Sequence, residues 1–135
     1  FGRETILLVE DEQGVRELAS TVLQEAGYSL LTAATPEEAI AIERGYNGHI
    51  DLLLTDVIMP RMTGREVAVQ LARWRPQTPV VYMSGYTEDV MAFQQLLEGG
   101  AYLVEKPFYP NDLLKMVRRA IEQPWGHEVA TIVPN

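Results

Sequence analysis

The sequence predicts an α/β domain built on a five-stranded, doubly wound parallel sheet. Short apolar runs alternate five times with segments whose apolar residues recur at helical spacing, the pattern of successive βα units. The central run, residues 50–54, is interrupted only by Asp51 and is followed by the turn residues Pro60 and Gly64, which is typical of a strand buried on both faces. Right-handed crossovers restrict the topology, and we expect the doubly wound order 2-1-3-4-5, in which strands one and three lie side by side.

The predicted strands share a short apolar run that ends at a polar or turn residue. They are residues 6–9, 28–33, 50–55, 79–83 and 101–105. The first helix, residues 14–26, carries apolar side chains at helical spacing and ends at a glycine. The second begins at Thr35 as its cap, with Pro36 in the first position and Glu38 placed to complete a capping box.

Glycine and proline mark the limits of the other three helices. Gly64 begins the third helix, which ends before Pro76. The fourth covers residues 87–97 and ends at a pair of glycines. Pro110 begins the fifth and Pro124 ends it, because proline fits the first turn of a helix but not its interior.

Composition favours one globular domain and disfavours several kinds of partner. The chain has 135 residues, 47% of them hydrophobic, and no cysteine for a disulfide or thiolate metal site. No apolar stretch approaches the roughly 18 residues of a membrane span. A net charge of −8 disfavours a nucleic-acid surface and suits a cation or a basic partner. We expect a cytoplasmic domain over residues 4–123 that is not membrane-inserted, with a tail or linker over residues 124–135.

Four strands end in polar groups that the predicted topology brings to one edge of the sheet. Glu10 and Asp11 follow strand one, Asp56 follows strand three, Ser84 follows strand four and Lys106 follows strand five. Open α/β sheets bind their ligands at this carboxyl edge. Three close carboxylates repel one another unless a cation offsets them, and Mg²⁺ prefers oxygen ligands of this kind. The sequence therefore predicts a magnesium site beside a fixed ammonium group.

Each of these residues also has an ordinary structural interpretation. The acidic residues after strand one would suit the start of any helix, where negative charge is favourable. Asp56 could stabilise a turn, Ser84 could cap the fourth helix, and Lys106 could be a surface lysine. The convergence of all of them on one edge favours a shared cation over these separate roles.

In this arrangement, the sequence resembles the receiver domain of bacterial two-component response regulators. The resemblance rests on four motifs, each at a strand end: Glu10-Asp11, Asp56 with Met59-Pro60 and Gly64, Ser84-Gly85, and Lys106-Pro107-Phe108. It covers nearly the whole chain and implies a flavodoxin-like (βα)5 fold. Residues 5–12 and 82–86 also look like the receivers of hybrid sensor histidine kinases, and the chain does not begin with Met, so we expect an excised domain.

The resemblance implies a role for each matching residue. Asp56 would be the phosphoacceptor for a phosphoryl group from a phosphohistidine. Asp11 and Asp56 would bind Mg²⁺ directly, together with the backbone carbonyl of Ile58, and Glu10 would bind it through water.

Ser84 and Lys106 would neutralise the phosphoryl oxygens and draw their loops inward. The resemblance also raises the expectation of a cis peptide bond between Lys106 and Pro107.

One departure concerns the aromatic residue that receivers usually carry three positions before the lysine. Leu103 stands there, and its neighbour Tyr102 should face the other side of the sheet, which puts the aromatic version of the switch in doubt.

The implied partners are a histidine kinase or a histidine phosphotransfer protein, with an output partner on the face of helix four, strand five and helix five; weak dimerisation stays open. The domain's own chemistry would be limited to self-phosphorylation and autodephosphorylation, although its parent chain could be a hybrid histidine kinase.

Two alternatives remain: a receiver-like binding module that is never phosphorylated, and a metal-dependent phosphohydrolase. The second requires an acid two residues after the nucleophile, where this chain has Ile58. A flavodoxin-like nucleotide binder is disfavoured because the turn after strand one is acidic and lacks a glycine-rich phosphate loop.

Overall fold

The computed structural model describes residues 3–85 and 101–123. Within them the strands and helices alternate in the predicted way and have the following bounds: β1 (Thr5–Val9), α1 (Gln13–Glu25), β2 (Ser29–Ala33), α2 (Pro36–Gly45), β3 (Leu52–Asp56), α3 (Gly64–Ala72), β4 (Val80–Gly85), β5 (Tyr102–Lys106) and, as the last helix, Pro110–Glu122. The last helix corresponds to the fifth predicted one. The predicted fourth helix and the tail lie outside the described residues.

All five strands are parallel and follow the order β2-β1-β3-β4-β5, which confirms the predicted topology. The central strand β3 is buried along its whole length. Three strands extend further toward their carboxyl ends than predicted, because parallel pairing continues through the polar residues. Asp56 pairs with Met83, and the last pair of β4 and β5 is Gly85 with Lys106. Asp56 and Lys106 are therefore held by the sheet itself.

Two apolar layers lie on opposite faces of the sheet, because successive strand residues point to opposite sides. On one face, Leu8, Leu54 and Met83 pack with α1 and the last helix. On the other, Leu7 and Leu53 pack with α2 and α3. This double cover leaves the two ends of the sheet as the places where polar groups can gather.

The helix starts agree with the predictions in position but not in every contact. At α2 the Thr35 hydroxyl accepts from the Glu38 N–H at 3.1 Å, but the Glu38 carboxylate accepts from the N–H of Ala34, one residue earlier than a capping box requires. The predicted capping box at α2 is therefore wrong. A complete capping box, which the sequence analysis missed, joins Thr63 and Glu66 at the start of α3.

Candidate functional site

The carboxyl ends of β1, β3 and β5 bring four charged side chains into one cluster. Carboxylate oxygens of Glu10, Asp11 and Asp56 all lie within 4.8 Å of one another. The Lys106 Nζ donates to Asp56 Oδ1 at 2.8 Å and to Glu10 Oε1 at 3.3 Å. Glu10 and Asp56 are fully buried, whereas Asp11 is exposed. Residues up to 96 positions apart in the chain thus meet at the predicted edge of the sheet.

Asp56 is under electrostatic strain in this cluster. Its second oxygen, Oδ2, is buried and makes no hydrogen bond to any other residue that the structure describes. Burial and the nearby Glu10 carboxylate raise the pKa of Asp56 well above its usual range, and the Lys106 ammonium only partly opposes them. Burial also lowers the pKa of Lys106, but the hydrogen bonds and charges of Asp56 and Glu10 outweigh it, so that pKa is raised. The cluster therefore holds more negative charge than one ammonium neutralises.

The turn from β1 into α1 is held by Glu10 and Arg16. Glu10 Oε2 accepts the backbone N–H of Glu12 at 2.9 Å, and the Arg16 Nη1 donates to the backbone oxygen of Glu10 at 2.8 Å. Among the residues with a described structure, no side chain caps the start of α1 at Glu12. These two bonds therefore set the shape of the turn that carries Asp11.

The loop after β3 folds back onto Asp56. The Gly64 N–H donates to the backbone oxygen of Val57 at 2.8 Å, and the Thr55 hydroxyl donates to the backbone oxygen of Asp56 at 3.1 Å. A Cβ at Gly64 would overlap that same Asp56 oxygen. Only glycine fits here, so the loop is packed tightly against the backbone of the central acid.

The two other predicted site residues, Ile58 and Ser84, lie outside the charged cluster. Ile58, 37% exposed, lines an open cavity of ≈550 Å³ together with Asp11 and Lys106. Ser84 is buried, and among the described residues its hydroxyl donates to the carbonyl oxygen of Gly85 at 3.4 Å. The structure thus places Ser84 on the neighbouring strand without a hydrogen bond to the charged cluster.

The structure confirms two local predictions beside the cluster. The peptide bond between Lys106 and Pro107 is cis. Tyr102 and Leu103 face opposite sides of the sheet: Tyr102 joins the core under the last helix, while Leu103 packs against Val57 and Tyr82. The Tyr102 hydroxyl donates to the backbone oxygen of Gln123 at 2.6 Å, at the end of the last helix.

The fold and the sequence both match a known family of proteins. A family model described as "response regulator receiver domain" matches residues 6–118. This chain belongs to the receiver domain family. Among solved structures, the receiver domain of the hybrid histidine kinase CckA is 32% identical, with a TM-score of 0.71 over 87% of this chain and 98% of that one. The chemotaxis protein CheY4 of Vibrio cholerae is 31% identical, with a TM-score of 0.75 over 87% of this chain and 98% of that one.

Two curated relatives are longer proteins. The sensor kinase CckA of Brucella abortus is 34% identical over 90% of this chain, but the matched region is only 13% of that protein. The response regulator SaeR of Staphylococcus aureus is 26% identical over 86% of this chain, which corresponds to 50% of SaeR. This receiver domain therefore spans half or less of the length of these relatives. Within the residues that the structure describes, no helix is both long and apolar enough to cross a membrane.

The acidic cluster of this receiver domain suits a hard divalent cation. Its donors are three carboxylates, and the buried Oδ2 of Asp56 lacks a partner that such a cation would supply. Arg16 was not predicted as a site residue. The sequence indicates it only as a basic residue one turn into α1, the helix that follows the acidic turn.

Proposed function

We propose that this receiver domain accepts a phosphoryl group on Asp56 from a phosphohistidine of a partner protein. The observation that carries the proposal is the state of Asp56 in a cluster of three carboxylates. Its Oδ1 accepts from Lys106 at 2.8 Å, and its buried Oδ2 has no partner within the described part of the chain. A carboxylate of this kind can act as a nucleophile once cations offset its neighbours.

The transfer exchanges one bond to phosphorus for another. A carboxylate oxygen of Asp56 forms the new P–O bond while the P–N bond to the donor imidazole breaks. The imidazole nitrogen keeps the electron pair and takes up a proton from solvent. Lys106, already fixed by Asp56 and Glu10, would offset charge on the transferred oxygens, as would the Ser84 hydroxyl after a change of its hydrogen bond.

Asp11, Asp56 and the backbone carbonyl of Ile58 would hold Mg²⁺, with Glu10 acting through water. When bound, Mg²⁺ would neutralise charge on the phosphoryl oxygens. The chain's own part is to keep the ligands deprotonated and in place. Lys106 does so by opposing the rise in the pKa of Asp56, and the turn around Glu12 does so by fixing Glu10.

The wider context of the domain is also proposed. The phosphoryl donor would be a histidine kinase or a histidine phosphotransfer protein. The output partner would bind the face formed by β5, the last helix and the predicted fourth helix, where Leu103 rather than an aromatic residue would repack. The domain would span residues 4–123 and belong to a longer cytoplasmic chain or segment. A hybrid kinase is the favoured parent, because the similar CckA receiver structure is described as part of a hybrid histidine kinase and the Brucella abortus relative as a sensor kinase.

Phosphorylation by a small phosphodonor tests the proposal. The chain is incubated with acetyl phosphate and Mg²⁺, and intact mass together with hydroxylamine sensitivity reports an acyl phosphate. We expect one phosphoryl group on the wild type, none on Asp56→Asn, and one on Asp112→Asn, a matched change at an exposed acid of the last helix. Absence of an acyl phosphate on the wild type would favour the unphosphorylated binding module.

A multiple-turnover assay separates the receiver from a phosphohydrolase. Ile58 stands where a phosphohydrolase would carry its second acid, so no general acid is available to the leaving group at that position. We expect p-nitrophenyl phosphate to remain unhydrolysed beyond one equivalent per chain. Sustained turnover that is lost in Asp56→Asn would instead support the hydrolase.

A further inference from the structure

We propose that Arg16 is a positioning residue for the metal-binding acids: its guanidinium holds the backbone turn that presents Asp11. This inference rests on the proposed phosphoacceptor function and assigns a residue that the resemblance does not. Arg16 lies in the first turn of α1, where its backbone N–H donates to the Glu12 oxygen at 2.9 Å. Its side chain turns back toward the sheet and reaches the Glu10 oxygen at 2.8 Å.

The position of that bond explains why it matters. The carbonyl of Glu10 and the nitrogen of Asp11 belong to the same planar peptide unit. A hydrogen bond to this carbonyl oxygen therefore restrains the orientation of the peptide plane that leads into Asp11. The backbone nitrogen of Glu10 is also held in place, because its N–H donates to the Ala33 oxygen of β2 at 3.0 Å. Glu10 is thus held at its backbone by β2 and Arg16 and at its side chain by Glu12 and Lys106.

Asp11 is the exposed member of the cluster, and the shape of the turn decides where its carboxylate lies. Within residues 3–85 and 101–123, no side-chain cap at Glu12 stabilises the turn independently. A group that orients a metal ligand without touching the metal commonly changes metal affinity when it is removed. Arg16 meets this description because it acts on Asp11 through the Glu10 peptide.

Charge and positioning predict opposite results, which makes the inference testable. Arg16 is a cation near three carboxylates, so its positive charge by itself opposes the binding of another cation. If charge were its only effect, Arg16→Met would tighten Mg²⁺ binding. If Arg16 holds the turn, the same substitution weakens Mg²⁺ binding.

The experiment uses NMR on the full chain with Mg²⁺ alone as the probe. We expect Arg16→Met to raise the Mg²⁺ dissociation constant about tenfold, in line with the loss of a residue that orients a metal ligand. In metal-free samples the amide hydrogens of Asp11 and Glu12 should exchange faster with solvent in this variant. Arg73→Met removes an exposed arginine at the end of α3 and should change neither measurement.

Each outcome decides the inference. Loss of the bond to Glu10 lowers the free energy of unfolding whichever role Arg16 has. A purely structural role, however, would leave the Mg²⁺ affinity of the folded domain unchanged. Unchanged or tighter Mg²⁺ binding in Arg16→Met, with a wild type that binds Mg²⁺ and forms the acyl phosphate, overturns the role of Arg16 alone. A wild type that neither binds Mg²⁺ nor becomes phosphorylated overturns the proposed function as well.

Discussion

Replacing Asp56 with asparagine should stabilise the metal-free domain. Asparagine has nearly the shape of aspartate but carries no charge, so the substitution changes electrostatics more than packing. In the folded chain Asp56 is fully buried, and its oxygens lie within 4.8 Å of those of Glu10 and Asp11. In the unfolded chain the same carboxylate is in water. The folded state therefore carries a repulsion that the unfolded state does not.

The distances allow an estimate of the net effect. At an effective dielectric constant of about 20, two like charges at the 4.8 Å upper limit of these oxygen separations repel by about 3 kcal/mol, and Asp56 has two such acidic neighbours. Its attraction to Lys106 at 2.8 Å is about 6 kcal/mol on the same basis, so attraction and repulsion nearly cancel. The buried Oδ2, which has no hydrogen-bond partner among the described residues, adds a cost of about 1–3 kcal/mol, whereas an asparagine amide nitrogen in its place would donate to a neighbouring carboxylate. We therefore expect Asp56→Asn to raise the free energy of unfolding by about 2 kcal/mol.

Urea unfolding in EDTA at pH 7 measures this difference, with Asp112→Asn as the control for loss of an exposed acid. Addition of Mg²⁺ should reverse the order of stability. A ligand present at 100 times its dissociation constant stabilises the folded state by about 2.7 kcal/mol, and this gain should be confined to the chain that keeps Asp56. The wild type should then equal or exceed the variant.

Two results would refute this reasoning. Destabilisation of the metal-free domain by more than about 1 kcal/mol in Asp56→Asn would mean that the pair with Lys106 outweighs the repulsion and the unpartnered oxygen. Equal stabilisation of both chains by Mg²⁺ would mean that Asp56 is not a ligand.

Three further predictions address the pH response, the loop after β3 and the end of the last helix. Because burial raises the folded-state pKa of Asp56 above its unfolded value, ionisation disfavours folding. The metal-free wild type should therefore lose stability relative to Asp56→Asn as pH rises from 5 to 8; a constant difference in urea midpoints would contradict this. Gly64→Ala should cost about 3 kcal/mol in urea unfolding and slow acyl phosphate formation, because the added methyl overlaps the Asp56 backbone oxygen; wild-type values for both would show that the loop can relax. Tyr102→Phe should cost about 1 kcal/mol through loss of the 2.6 Å bond to Gln123 and leave acyl phosphate formation unchanged, and a slower phosphorylation would link the end of the last helix to the site.

Much of the fold followed from local patterns in the chain. The alternation of apolar runs with amphipathic segments predicted the parallel sheet and its order, because each strand needs helices to cover both faces. Topology alone placed Glu10 and Asp11 after β1, Asp56 at the end of β3 and Lys106 of β5 at one edge of the sheet.

Capping was less predictable: Thr35 and Glu38 have the spacing of a capping box, but the carboxylate accepts from Ala34 instead. A spacing rule does not decide which of two neighbouring N–H groups a flexible side chain reaches.

The sequence by itself determined which chemical groups this domain brings to its carboxyl edge, because strand order depends on local periodicity and on the handedness of the crossovers. Only the tertiary structure decided how those groups are balanced. It sets the burial of Glu10, the lack of a hydrogen-bond partner for Asp56 Oδ2 among the described residues, the contact of Gly64 with the Asp56 backbone and the reach of Arg16 back to Glu10. Each of these features depends on small differences in the distances between packed groups. Such distances are set by the packing of the whole core and are not encoded in any one segment.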